Sequence, residues 1–190
     1  IIMAFIPTGK SRTILLRKED IFLKRRIVIR FNAPVILSFA LLSLLALVLG
    51  NLTNGATTYR YFSVYRSSLS DPLTYIRFFG HVLGHADYDH YMGNMLLLLL
   101  VGPGIEEKYG HRTTALCIAV TALVTGLVQF IFFPATALLG ASGIVFMMIV
   151  LSSFTEMGKE GIPITLILVV VFYLGGELMD GLSALDNVSQ

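Results

Sequence analysis

The stretch HYMGNMLLLLLVGPGIE, residues 90–106, decides how the chain is built. Its middle is an unbroken leucine run, Leu96–Leu100, fit for the interior of a bilayer. Its outer end carries His90 and Asn94, its inner end Glu106. His90 and Asn94 are four apart, so a helix sets them on one face. Polar groups at the ends of an apolar span are costly unless each has a partner or a purpose.

Working outward, the composition points the same way. Of 190 residues, 55% are hydrophobic and only 14% charged, and mean hydropathy is +0.78. A soluble domain would need more polar surface, so the membrane class leads. The net charge of +2 is unevenly spread. Eight of the fourteen Lys and Arg fall within residues 1–32, which directly precede an apolar run. Such a flank stays cytoplasmic. A nucleic-acid arm is the rival reading, and the span that follows argues against it; no nucleic-acid partner is expected. The single cysteine, Cys117, lies in an apolar run and reads as a small core residue.

Five segments approach the roughly 20 apolar residues that a crossing needs. They are 33–51, 88–107, 112–133, 142–155 and 162–178. The fourth is short and reads as a helix that starts partway into the bilayer among its neighbours. With the N-terminus inside, the turns at Glu106–Arg112 and Glu156–Gly161 are also inside, and each carries Lys or Arg. Arg60, Arg66 and Arg77, in the first external loop, are the exceptions. That loop, 52–87, is rich in aromatics, including Tyr59, Tyr61, Tyr65, Tyr75, Phe78 and Phe79. Aromatic rings favour the headgroup level, so the loop is expected to lie in the outer interface. Ser70 or Asp71 with Pro72 marks a helix start within it, and Asp87 or Asp89 is the expected cap of the second span. Pro103 is expected to kink that span near its inner end.

Three of the four histidines, His81, His85 and His90, fall within ten positions. Polar helix ends meeting water are the plain reading of His81 and His85. Zinc ligation, as in a channel or metal transporter, is a rival, but no cysteine is near and a fourth ligand would have to be invented. No metal is expected. Glu107 is expected to be solvated, and Glu106 either solvated or tied to neighbouring backbone.

LLGASGIVF, residues 138–146, sets Ser142 between Gly140 and Gly143. Small residues also serve close helix packing in membranes. The soluble-hydrolase G-x-S-x-G elbow does not apply, because Ile144 stands at its last glycine. Position changes the reading. Ser142 opens the fourth span on the side where His90 and Asn94 lie. A serine at a helix start has free backbone N–H groups beside it, suited to a developing oxyanion.

Together these residues resemble the rhomboid intramembrane serine proteases. The matching features are Arg77 and the spaced histidines His81 and His85, then H-x-x-x-N at His90 and Asn94. Glu106 in GPGIE and the GASG around Ser142 complete them. The match runs from about residue 33 to the end. The resemblance implies an all-α polytopic membrane protein, a rhomboid-like bundle with five of six core transmembrane helices present and a long interfacial first loop. Residues 1–32 would be a basic cytoplasmic segment and 33–190 the transmembrane domain. It implies Ser142 as nucleophile, and His90, Asn94 and the Ser142 N–H as oxyanion hole. Arg77, His81, His85, Glu106, Gly140 and Gly143 would be supporting, Arg77 by shaping the loop.

The resemblance further implies a Ser-His dyad, an enzyme without cofactor, and transmembrane-helix proteins as substrates within membrane lipid. No histidine follows Ser142, and 48 residues follow it. The sixth helix is expected roughly 50 residues downstream. The chain is therefore expected to be truncated before that helix, its general base lying beyond Gln190. A catalytically inactive rhomboid-like binder of transmembrane helices is the alternative. A bacterial inner membrane is the expected location.

Overall fold

The computed structural model describes residues 32–156 and, beyond them, 161, 164, 166–172, 175 and 176. Residues 1–31 of the basic segment, 157–160 of the second inner turn, and 177–190 lie outside the described residues. The fifth span is described in part, as helix at 164, 166–172 and 175–176.

Among the described residues, six α-helices have defined limits, in order α1 (Pro34–Leu52), α2 (Ala56–Tyr61), α3 (Pro72–Gly80), α4 (Tyr88–Tyr109), α5 (His111–Phe132) and α6 (Ser142–Glu156). A single 3-10 turn, His81–Leu83, follows α3. Among the described residues there is no strand, only one antiparallel bridge, between Val64 and Leu138. The protein is an all-α bundle with apolar helices suited to a membrane.

Length sorts the helices. At 1.5 Å per residue, α4 and α5 reach about 33 Å and α1 about 28 Å, close to a hydrocarbon core of about 30 Å. α1 and α5 are long and apolar enough to cross. α6, at about 22 Å, is too short to cross alone, and neighbours surround it: Ile144, Val145 and Met148 are almost wholly buried. α6 packs against α4 and α5, α1 against α4, and α3 against α5. Leu41, Leu100 and Phe132 project outward at 66–76% exposure, as lipid-facing side chains do.

The helix ends have identifiable causes. Asp71 accepts from the Leu73 N–H at 3.0 Å and caps α3 ahead of Pro72. Asp87 accepts from the His90 N–H at 2.7 Å and caps α4. The N-cap residue of α1, Ala33, has no polar side chain to offer and sits in the left-handed region at φ 59°. Glu106 supplies the cap from across the bundle. Its Oε1 accepts from Val35 N–H and its Oε2 from Ile36 N–H, each at 2.9 Å. His111 Nδ1 meets the same Oε1 at 2.6 Å. Glu106 is therefore tied to backbone, the second of the two expected arrangements, while Glu107 is exposed.

Pro103 does not break α4, which continues to Tyr109. Next to it, Gly102 is buried against Ile36, whose side chain would lie 2.8 Å from any Cβ there. This glycine lets α1 and α4 close at the inner end.

The outer loop is folded rather than splayed. Tyr59 stacks on Tyr65 at 4.6 Å, and the Arg77 guanidinium lies 4.6 Å over Tyr65. Arg77 is 4% exposed, donates to the Arg60 carbonyl at 2.9 Å and pairs with Asp71 at 3.3 Å. Arg66 donates to the Phe130 carbonyl at 2.8 Å, closing the C-terminal end of α5. Two of the three arginines that break the charge rule are thus used inside the fold. Thr74, Arg77 and Phe78 form the buried face of α3, while Tyr75, Ile76 and Phe79 point out.

Candidate functional site

The approach to Ser142 is held from three sides. Leu138 and Val64 exchange both backbone hydrogen bonds, each 2.9 Å. Gly140 N–H donates to the His81 carbonyl at 2.9 Å. Gly140 itself has φ +127°, a conformation that L side chains rarely adopt. A Cβ at Gly140 would lie 2.9 Å from both Cε1 and Nε2 of His90. The backbone two residues before Ser142 is thus pressed against the His90 imidazole. The Ala141 carbonyl accepts from Val145 N–H at 2.9 Å, so the helix starts beside Ser142. Gly143 faces Thr125, whose Cγ2 would be 3.1 Å from an added Cβ. Ser142 and His90 are half-buried, and Asn94 is buried.

Asn94 stands one turn below His90 on α4 and donates from Nδ2 to the His90 carbonyl at 3.1 Å. α4 packs along α6. The structure therefore brings together the loop before Ser142, His90 and the α4 face carrying Asn94. Glu106 and Arg77 sit apart, at the inner end of α4 and in the outer loop.

His81 and His85 are corrected from polar ends meeting water: they are only 1% and 2% exposed. His81 Nδ1 lies 3.1 Å from the Arg77 carbonyl and its Nε2 3.1 Å from Thr125 Oγ1. Burial pushes its pKa from 6.5 down to about 4, so the ring is neutral near pH 7. His81 thereby joins α3, α5 and, through its carbonyl, the Ser142 loop. His85 Nδ1 contacts the Leu83 carbonyl at 3.2 Å, and its ring meets His90 edge-on at 5.1 Å and Tyr91 at 5.5 Å. Burial first, then the neighbouring His90, lowers its pKa to about 4. Its buried Nε2 has no hydrogen-bond partner among the described residues. His85 lines an outer cavity of about 490 Å³ together with Asn51, Ser63, Ala137 and Leu139.

Among the described residues no three His, Cys, Asp or Glu side chains converge as a metal site would need. His81 spends both ring nitrogens on the fold, which removes it from the ligand set that the zinc reading requires.

Several contributors carry no local sequence signal. Val64 and Leu138 pair across 74 positions, and His111 reaches Glu106 across a helix junction. Thr125 and Gln129 are different, because a polar group within an apolar span invites the question of its partner. Gln129 Nε2 donates to Thr136 Oγ1 at 2.9 Å and to its carbonyl at 3.1 Å, folding the chain back after α5.

Comparison with known proteins gives the family. The rhomboid domain family matches residues 72–190. Rhomboid-related protein 2 of Mus musculus is 29% identical over 124 residues, covering 58% of this chain and 41% of the relative. The match thus spans about two fifths of that relative's length.

Proposed function

The chain belongs to the rhomboid family, and on that premise we propose that it is an intramembrane serine endopeptidase cutting single-pass transmembrane proteins near the outer face. The observation that carries this reading is the contact of Gly140 with His90, two residues before the serine that opens α6.

In the proposed reaction, Ser142 Oγ attacks the scissile carbonyl carbon and loses its proton to a base. The carbonyl oxygen takes the negative charge and is met by the Ser142 N–H, His90 and Asn94. Donors fixed before the reaction stabilise that charge without reorganising, worth about 10²–10³ in rate for one donor. Collapse expels the amine, which takes the proton, and leaves an acyl-enzyme. Water then attacks the ester and releases the acid, restoring the Ser142 hydroxyl. Arg77 and Glu106 hold the loop and the inner helix ends, and no metal or cofactor takes part. The substrate is a transmembrane helix presented from the lipid. A cytoplasmic N-terminus is part of the proposal, and it is supported by the Lys and Arg that precede the first apolar run.

On this reading none of the chain's four histidines is the base. His81 is locked between Arg77 and Thr125, and His111 lies at the inner end with Glu106. His85 and His90 serve the loop and the oxyanion. A second reading is a non-catalytic rhomboid-like binder of transmembrane helices, since the family match by itself does not carry cleavage.

The full gene product in proteoliposomes, given a model transmembrane substrate, separates the two. The proteolytic reading expects cleavage that drops by at least about 10³-fold in Ser142→Ala. Equal cleavage by both proteins rejects it. Substrate binding without cleavage by either favours the binder.

A further inference from the structure

Tyr91 takes no part in the reaction proposed above, yet it follows His90 directly on α4 and is only 9% exposed. A buried tyrosine hydroxyl needs a hydrogen-bond partner. Tyr91 Oη donates to the Ala40 carbonyl of α1 at 3.2 Å, so one end of the ring is fixed to a neighbouring helix.

The ring meets the His85 imidazole at 5.5 Å between centroids and 85° between planes. His85 in turn meets the His90 imidazole at 5.1 Å and 72°. Both contacts have the edge-to-face geometry that aromatic rings favour. His85 has little freedom between them, because it is buried and its Nδ1 lies 3.2 Å from the Leu83 carbonyl. Consecutive residues on a helix do not face each other, so Tyr91 cannot brace His90 directly. His85, entering from the turn before α4, bridges the two. The Gly140 backbone also presses on His90, at the Cε1 and Nε2 atoms. The His90 ring is thus set by the loop leading to Ser142 and by a row of two rings anchored on α1.

We infer, on the proteolytic reading, that Tyr91 is a positioning residue: through His85 it fixes the His90 imidazole toward the developing oxyanion. Orientation matters there, because a displacement of about an ångström costs up to about 10²-fold in rate. Tyr91 acts only through other side chains.

Cleavage of a model transmembrane substrate by the full gene product in proteoliposomes tests this in two backgrounds. Tyr91→Leu should lower kcat by about ten-fold and leave KM within about two-fold. Tyr91→Phe, which keeps the ring, should stay within about three-fold of the parent. In a His90→Ala background no imidazole is left to orient, and Tyr91→Leu should change kcat by less than about two-fold. An equal loss in both backgrounds overturns the inference, as does an unchanged kcat in Tyr91→Leu or a Tyr91→Phe as impaired as Tyr91→Leu. Thermal unfolding checks that each variant is folded, and Tyr91→Met, whose side chain adapts to irregular gaps, replaces a Tyr91→Leu that does not fold. Histidine-selective NMR in detergent reads the brace without turnover. The His90 ring signals should move in Tyr91→Leu and hold in Tyr91→Phe; signals unmoved in Tyr91→Leu overturn the inference. A parent that gives this response without cleaving rejects proteolysis while supporting the brace.

Discussion

At the scale of single residues, the polar groups that look expensive in this chain are the ones the fold spends most on. His81 is the clearest case. It is buried, its ring nitrogens lie near the Arg77 carbonyl and Thr125, and its own carbonyl receives Gly140 N–H. A neutral ring suits that position. Below about pH 6.5 an unfolded chain takes up a proton on this histidine, while the folded chain takes one only near pH 4. Stability should therefore be complete above pH 6.5 and fall as pH drops toward 4, with His81 contributing up to about 3 kcal/mol of the loss. His85, lowered to about 4 as well, adds to the same window. Thermal unfolding in detergent between pH 7.5 and 4 reads this directly. His81→Gln should unfold earlier at pH 7.5 and show a shallower decline with acid. A parent curve that stays flat across the window would contradict the assignment.

The roles of these residues were only partly legible in the sequence. The spacing of His90 and Asn94 announces a shared helix face. Nothing local announces that His81 is buried, because its partner Thr125 lies 44 positions away.

At the scale of elements, the spans were readable because each apolar run is bounded by charge, proline or glycine. α1, α5 and α6 begin and end within one residue of the expected limits, and α4 begins on its expected residue. α4 runs two residues past its expected inner limit, and Pro103 lies within it without ending it. The connection before α6 could not be read. Its shape comes from the Val64–Leu138 bridge and from the hold of His81 on Gly140, both long-range. This short rail is also the element most sensitive to change. Gly140→Ala places a methyl group 2.9 Å from the His90 ring in a backbone conformation that alanine resists. Cleavage by the full gene product should fall by about 10²-fold, the size expected when a reacting group is displaced by an ångström. Helix content by circular dichroism should be unchanged. Gly104→Ala is the control, because nothing lies within 4 Å of an added Cβ there. Equal activity in Gly140→Ala and the parent would mean that the rail does not set the serine.

At the scale of the whole molecule, the polar chemistry is divided between two ends of an apolar bundle. The outer end gathers His81, His85, His90, Asn94 and the start of α6. The inner end gathers Glu106, His111 and the first amides of α1. Between them Ile36, Leu98, Ile144 and Met148 form a core with no exposed surface. This division explains why a membrane helix as short as α6 can exist: its neighbours, not lipid, surround its buried face. It also explains why Glu106 is tolerated near an apolar span, since its carboxylate oxygens are met by the α1 amides and by His111. The central claim is that Ser142 is a nucleophile rather than a small packing residue, and its reactivity tests that most directly. The full gene product should react with a fluorophosphonate probe, and peptide mass spectrometry should place the adduct on Ser142, with labelling absent in Ser142→Ala. No adduct on the folded parent, or an adduct that persists in Ser142→Ala, would contradict the account.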